Sequence, residues 1–327
     1  MQMRTLQSHN CVWTSKDSWV IMLKMSDQEF NNANRKLRAF IKISRPIGWP
    51  VVVLVSILCM MTFQVILHNP AYHVGLRNPG LIGLAILAFF FTAAGGYAIN
   101  DYFDRESDAI VKPDRPIPSN QITPLGALQF SAIMFISALG VGLMINPLAF
   151  GIVVFNISFL LLYSSFVKKY SGFLSNITIG LVEGITIPIF AEAALFQRVS
   201  VVSLSFMGFI LVGIGINVLK DVAGVEGDKT IGVSSLAIKQ GKRTAAKVGA
   251  LFLVATAISL IVPYLEGVVT VAYLVPMALM GGIILHVAFS LFKKTEAQDV
   301  KKLLKRFRRS LLVLFPVALI AGTFLLR

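Results

Sequence analysis

The sequence predicts an all-α integral membrane protein with about nine transmembrane helices. Three observations lead there. Charged residues make up only 14% of the 327 and hydrophobic residues 56%, with a mean hydropathy of +0.75, whereas a soluble domain carries about 25% charged residues. Apolar runs long enough to cross a bilayer, ~20 residues each, recur along the chain. Lys and Arg are sorted to one side of those runs. With the N-terminus placed in the cytoplasm, twenty-four of those from residue 26 onward fall on that side and three (Arg77, Arg198 and Arg327) on the other. That is the positive-inside bias. It attributes the net charge of +14 to topology and anionic lipid and excludes nucleic acid as the partner. The predicted location is a cell membrane, multi-pass, with a cytoplasmic N-terminus.

Taken in order, residues 1–34 form a tail. Lys16, Asp17 and Lys24 interrupt any apolar region, so no signal peptide is expected. A disordered tail and an upstream extension of a chain starting at Met25 both fit. Residues 26–46, with Arg35, Lys36, Phe40, Ile41 and Ile43, read as an amphipathic segment lying in the interface. Spans follow at 47–67, 79–99, 124–145, 147–167, 173–195, 199–219, 245–265, 268–292 and 310–326, so that residues 35–327 make one transmembrane domain. Cys11 and Cys59 are the only cysteines and supply neither a disulfide framework nor zinc spacing.

Two connections on the cytoplasmic side, 100–123 and 220–243, are longer than helix linkage requires and carry half of the 16 acidic residues. They begin after the second and sixth spans, 120 residues apart, which hints at duplication of a four-helix unit.

The first connection opens with Asn100-Asp101-Tyr102-Phe103-Asp104-Arg105-Glu106-Ser107-Asp108. If the helix continues, Asp101, Asp104 and Asp108 share one face. Three carboxylates on one stripe repel unless a cation is shared between them. Hard oxygen ligands suit Mg²⁺, which also binds phosphate oxygens, so the stretch reads as a platform for a Mg²⁺–diphosphate complex. A solvated acidic helix end is the bland alternative; the scarcity of acid elsewhere argues against it. The following Lys112-Pro113-Asp114-Arg115-Pro116-Ile117-Pro118-Ser119 is expected to be a stiff turn. Lys112 and Arg115 could meet phosphate oxygens or simply anchor the cytoplasmic side.

The second connection repeats the theme in Lys220-Asp221-Val222-Ala223-Gly224-Val225-Glu226-Gly227-Asp228-Lys229. Asp221 and Asp228 are again seven apart, while Gly224 and Gly227 make a regular helix less expected.

Together these motifs make the chain resemble the UbiA superfamily of intramembrane prenyltransferases over roughly residues 35–327. The first motif matches that family's N-D-x-x-D-x-x-x-D in full. In the second, Gly224 stands where many members have the first aspartate of a D-x-x-x-D pair, which shifts weight to Asp221 and Glu226. The V-E-G-D-K and R-P-I-P-S runs are similar to those of digeranylgeranylglyceryl phosphate synthases, chlorophyll synthases and homogentisate prenyltransferases. Arg45-Pro46-Ile47-Gly48-Trp49-Pro50 leans toward the chlorophyll synthase group.

The resemblance implies helices bundled around a central apolar cavity, capped by the two acidic cytoplasmic loops. It implies Mg²⁺-dependent transfer of a polyprenyl group, geranylgeranyl by preference, from its diphosphate to a lipophilic acceptor. The first-ranked acceptor is geranylgeranylglyceryl phosphate; a tetrapyrrole or aromatic acceptor is the alternative. Asp101, Asp104, Asp108, Asp221, Glu226 and Asp228 are the expected metal ligands, and all but Glu226 are also expected to be catalytic. Asn100, Arg115, Lys220, Glu226, Lys112, Arg45 and Glu183 are the expected substrate contacts.

Beyond the motifs, Glu183 and Glu192 lie inside the fifth span, where ionisable residues are costly. Glu183 is read as facing the acceptor or a basic partner, Glu192 as snorkelling or interfacial. Asn156, Asn176 and Asn217 could line the cavity or bridge helices, with helix packing the preferred reading. Lys168, Lys169 and Tyr170 are read as a cytoplasmic anchor, with a phosphate contact as the lesser alternative. His286 stands alone in its span and suggests no metal site. A transporter would place polar breaks near the bilayer midplane. Acid concentrated at the ends of two spans favours interfacial catalysis instead, and an intact first motif argues against an inactive scaffold.

Overall fold

The computed structural model describes residues 34–45, 79–168, 171–230 and 234–324. Over these it is helical throughout, without strands. The expected first span, 47–67, lies outside the described residues.

A short helix α1 (34–43) lies across one end of the bundle. Its small and branched residues Ala39 and Ile43 are buried against Ala98, Ile117, Ile122 and Ala127, while Lys36 and Arg38 stay exposed. α2 (Pro79–Phe103) is rich in alanine on its inner face, with Ala85, Ala88, Ala94 and Ala98 fully buried. After α3 (Arg105–Val111), the prolines at 113, 116 and 118 give a series of turns, held by Ser119 and Gln121 amides donating to the Arg115 and Pro116 carbonyls. α4 (Pro124–Ile145) starts sharply because Thr123 accepts from the Gly126 amide at 3.0 Å and proline occupies the first turn. Asn146 caps α5 (Pro147–Leu162) by accepting from Ala149. It also donates to the Ala193 carbonyl at 2.9 Å, tying that corner to the far end of α6 (Gly172–Phe196).

The second half contains α7 (Gly208–Thr230), a single turn α8 (Leu236–Lys239), α9 (Lys242–Ser259), α10 (Leu274–Leu291) and α11 (Ala297–Phe324). Packing follows chain order: α2 on α4, α4 on α5, α5 on α6, α6 on α7, then α7–α9–α10–α11, with α11 closing back on α7. Six of the described helices are long and apolar enough to cross a membrane. α6, with 25 residues, and α11, with 28, add two more long helices. Large apolar side chains turn outward along them, Ile136 and Met144 at 70% exposure and Val275 at 68%, as a lipid-facing belt requires.

The α6–α7 contact sets the geometry of the second acidic motif. At Gly180 and Gly184 a Cβ would come within 2.7 Å of the Ile214 nitrogen and 2.5 Å of the Ile210 nitrogen. The two backbones touch, as small residues allow in membranes. Gly184→Val is expected to destabilise the protein by about 1–3 kcal/mol or more, because backbone rather than a flexible side chain must move; thermal unfolding in detergent measures it.

Both motifs depart from the sequence reading in local structure. The helix carrying Asp101 breaks at Asp104 (φ −86°, ψ 0°) before α3 resumes. The Asp104 amide still donates to Asn100 and the Asp108 amide to Asp104, so winding is kept through the kink. In the second motif Gly224 and Gly227 do not end the helix, and α7 runs on to Thr230. Flanking packing outweighs the modest cost of helical glycine, about 1 kcal/mol each. The acid therefore sits on helix ends rather than in loops.

Candidate active site

At the first motif the carboxylates are buried among cations. Asp101 and Asp108 are 4% and 3% exposed. Arg115, delivered by the proline-rich turn, reaches both: its Nη1 donates to Asp101 Oδ1 at 2.8 Å and to Asp108 Oδ2. One guanidinium thus joins the first and last aspartates of the motif, which places them on a common face. Arg45 Nη2 donates to the same Asp101 oxygen at 2.9 Å, and its guanidinium lies 4.6 Å from the centre of the Tyr97 ring. Arg45 takes a left-handed backbone (φ 53°), a conformation that L-residues adopt at some cost. α1 is held in place next to it by Lys42 donating to the Asp114 carbonyl at 2.6 Å. Lys112 stands 3.5 Å from Asp108.

Asp104 faces a different neighbour. It pairs with Lys168, which follows the π turn Tyr163–Val167 at the end of α5, and it accepts from Asn100 Nδ2 at 2.9 Å. Burial pushes the Lys168 ammonium down. The Asp104 carboxylate, helped by Tyr163 and Asp108, outweighs burial and holds Lys168 above its ordinary value. A π turn re-aims the residues that follow it and is frequent at functional sites.

The second motif is reached through α6. Asn176 Nδ2 donates to Asp221 Oδ2 at 2.7 Å. Lys168 therefore touches the first motif at Asp104, and Asn176 touches the second at Asp221. Glu226, 68% exposed, is turned toward Lys242 of α9 at 2.9 Å. Lys220 donates to Asn217 at 3.0 Å. The side chains of Asp228 and Glu183, with Lys169 and Tyr170 entire, lie outside the described residues.

Among the described residues no three acidic, histidine or cysteine side chains gather around a common point, and the two motifs do not form one ready cradle. The donors present nonetheless suit Mg²⁺. They are hard oxygens, and Asn100 Oδ1 is a buried acceptor that meets no donor. Asp101, Asp104 and Asp108 would hold the ion beside Asn100, with Asp221 serving the second motif.

One expectation is corrected. Glu192 does not snorkel. It is fully buried, accepting from Arg198 Nε at 3.3 Å and from the Ser200 amide at 3.0 Å, and so closes the turn after α6. Asn176 bridges α6 and α7, its amide bound to Asp221. Sequence spacing could not bring Lys168 or Asn176 forward, because their partners lie 64 and 45 residues away. A small apolar crevice lies between α7, α9, α10 and α11, lined by Phe206, Tyr273, Met280 and Phe315 among others. None of the described motif aspartates lines it.

The sequence profile of the family described as UbiA prenyltransferase matches residues 53–312. The chain belongs to the UbiA prenyltransferase family. It is accordingly a multi-pass membrane prenyltransferase. It is 35% identical over 229 residues to the digeranylgeranylglyceryl phosphate synthase of Halobacterium salinarum, covering 70% of this chain and 81% of that one. The Methanopyrus kandleri synthase is 32% identical over 239 residues, covering 73% of this chain and 83% of the relative. Among solved structures, one of a digeranylgeranylglyceryl phosphate synthase in membranes is similar with a TM-score of 0.71 and 28% identity, over 89% of this chain and 99% of that one. A UbiA homologue from Archaeoglobus fulgidus, bound to GPP and Mg²⁺, shares the fold at a TM-score of 0.62 and 16% identity, over 87% and 99%.

Proposed function

We propose that this UbiA prenyltransferase moves a geranylgeranyl group from its diphosphate to the free hydroxyl of geranylgeranylglyceryl phosphate, making an ether lipid precursor. The C1–O bond to diphosphate breaks, a C1–O bond to the glycerol forms, and the hydroxyl proton leaves to solvent. The observation that carries this reading is the Asp101–Arg115–Asp108 constellation, buried at the end of a span. Similarity to synthases of that product supports the acceptor.

Mg²⁺, when bound, would neutralise the diphosphate and make it a better leaving group. The carboxylates proposed to hold it are Asp101, Asp104 and Asp108, with Asp221 and Asp228 from α7; Glu226 would first have to leave Lys242. Arg45, Arg115, Lys112 and Lys168 are the cations that stand by those carboxylates and suit phosphate oxygens. Asn100 orients Asp104. Lys220 and Glu183 are proposed as further substrate contacts. Residues 35–327 act as one domain, with the N-terminus and both motifs on the cytoplasmic side of the cell membrane, as the basic residues favour.

The test is transfer from labelled geranylgeranyl diphosphate by purified protein in detergent, with geranylgeranylglyceryl phosphate, chlorophyllide, homogentisate and 4-hydroxybenzoate offered separately. The expected result is an Mg²⁺-dependent ether product from the first alone. A product from an aromatic or tetrapyrrole acceptor instead would overturn the acceptor; none from any would overturn the reaction.

A further inference from the structure

Asn176 is 5% exposed and sits in a row of α6 residues spaced by four whose other members are glycines: Gly172, Asn176, Gly180 and Gly184. Above it, Gly180 and Gly184 press on the α7 backbone at Ile214 and Ile210. Below it, the Gly172 amide donates to the Ser234 carbonyl at 2.9 Å, and a Cβ there would meet Ser235 Cα at 2.5 Å. The register between α6 and the chain around Asp221 is thus pinned on both sides of Asn176. In this seam the Asn176 amide donates to Asp221 Oδ2 at 2.7 Å. Only its Nδ2 can donate, because a carboxylate only accepts. A neutral donor fixes the rotamer of the carboxylate without cancelling its charge, as groups behind a metal ligand do.

We propose that Asn176 is a positioning residue that aims Asp221 at the metal–diphosphate site. The inference rests on the reading of Asp221 given under the proposed function. Were Asn176 mere helix glue, its loss would lower stability and leave metal dependence alone.

The experiment compares Asn176→Ala, the nearly isosteric Asn176→Asp, Asp221→Ala and the double variant Asn176→Ala/Asp221→Ala in the full chain. The Mg²⁺ concentration for half-maximal effect is read two ways: from the thermal shift produced by inorganic pyrophosphate, and from transferase rate. Groups behind a metal ligand typically contribute about 10–100-fold in metal affinity. Both Asn176 variants are therefore expected to need at least about tenfold more Mg²⁺, with kcat at saturating Mg²⁺ and KM for the acceptor little changed. The double variant should be no worse than Asp221→Ala. Asn176→Asp keeps the shape of the seam, so it answers if Asn176→Ala fails to fold. Wild-type Mg²⁺ dependence in Asn176→Asp while Asp221→Ala is impaired overturns the positioning role. So does a double variant whose defects simply add. An unimpaired Asp221→Ala would instead overturn the reading of Asp221 itself, and the inference with it.

Discussion

Asp101→Ala is expected to lower Mg²⁺-dependent diphosphate release by about 10²–10³-fold, the usual loss when one preorganised electrostatic group is removed from a reacting centre. Asp101 is where the site converges. Its Oδ1 accepts from Arg45 at 2.9 Å and from Arg115 at 2.8 Å, arms delivered by α1 and by the proline-rich turn. Removing it strands no buried charge, because Arg45 is 39% exposed and Arg115 21%. The protein should therefore stay folded while turnover collapses. Release at the wild-type rate, measured with labelled geranylgeranyl diphosphate in detergent, would remove the first motif from the chemistry.

Arg115→Ala carries the largest expected effect on stability. Asp101 and Asp108 have side chains only 5% and 4% exposed, and Arg115 is the group they share. Deleting one partner of a buried ion pair leaves uncompensated charge and destabilises by about 3–5 kcal/mol. Arg45 and Lys112 remain on the two aspartates, so the lower figure, about 3 kcal/mol, is expected. Adding Asp101→Asn to Arg115→Ala should restore part of the lost melting temperature, since a neutral amide needs no counter-charge, without restoring transfer. A double variant less stable than Arg115→Ala alone would show that the charge of Asp101 is balanced elsewhere.

The contrast between these two substitutions follows from burial, which spacing does not show. From Asn100 to Asp108 the residues themselves announced carboxylates on one face at the end of a span. That reading holds for Asp101 and Asp108, which meet on Arg115. Asp104 takes a separate cation, pairing with Lys168 and accepting from Asn100. Likewise Gly224 suggested a broken helix where α7 continues, because contact with α6 and α9 outweighs an intrinsic preference of about 1 kcal/mol. Glu192 was legible as a costly charge in a span. Its full burial against Arg198 and Ser200 was not, since the partners depend on how the chain turns after α6.

By itself the sequence determined the solvent of this protein and the ends of two spans as the place of its acid. Bilayer thickness demands long apolar runs, so this much is written locally. Only the tertiary structure decided which cation or amide each aspartate meets. Arg45 to Asp101, Lys168 to Asp104 and Asn176 to Asp221 span 56, 64 and 45 residues. Such pairings depend on helix register, which here is set by backbone contact at Gly180 and Gly184 and by the π turn before Lys168. Register is a property of packed surfaces, and no single helix carries it.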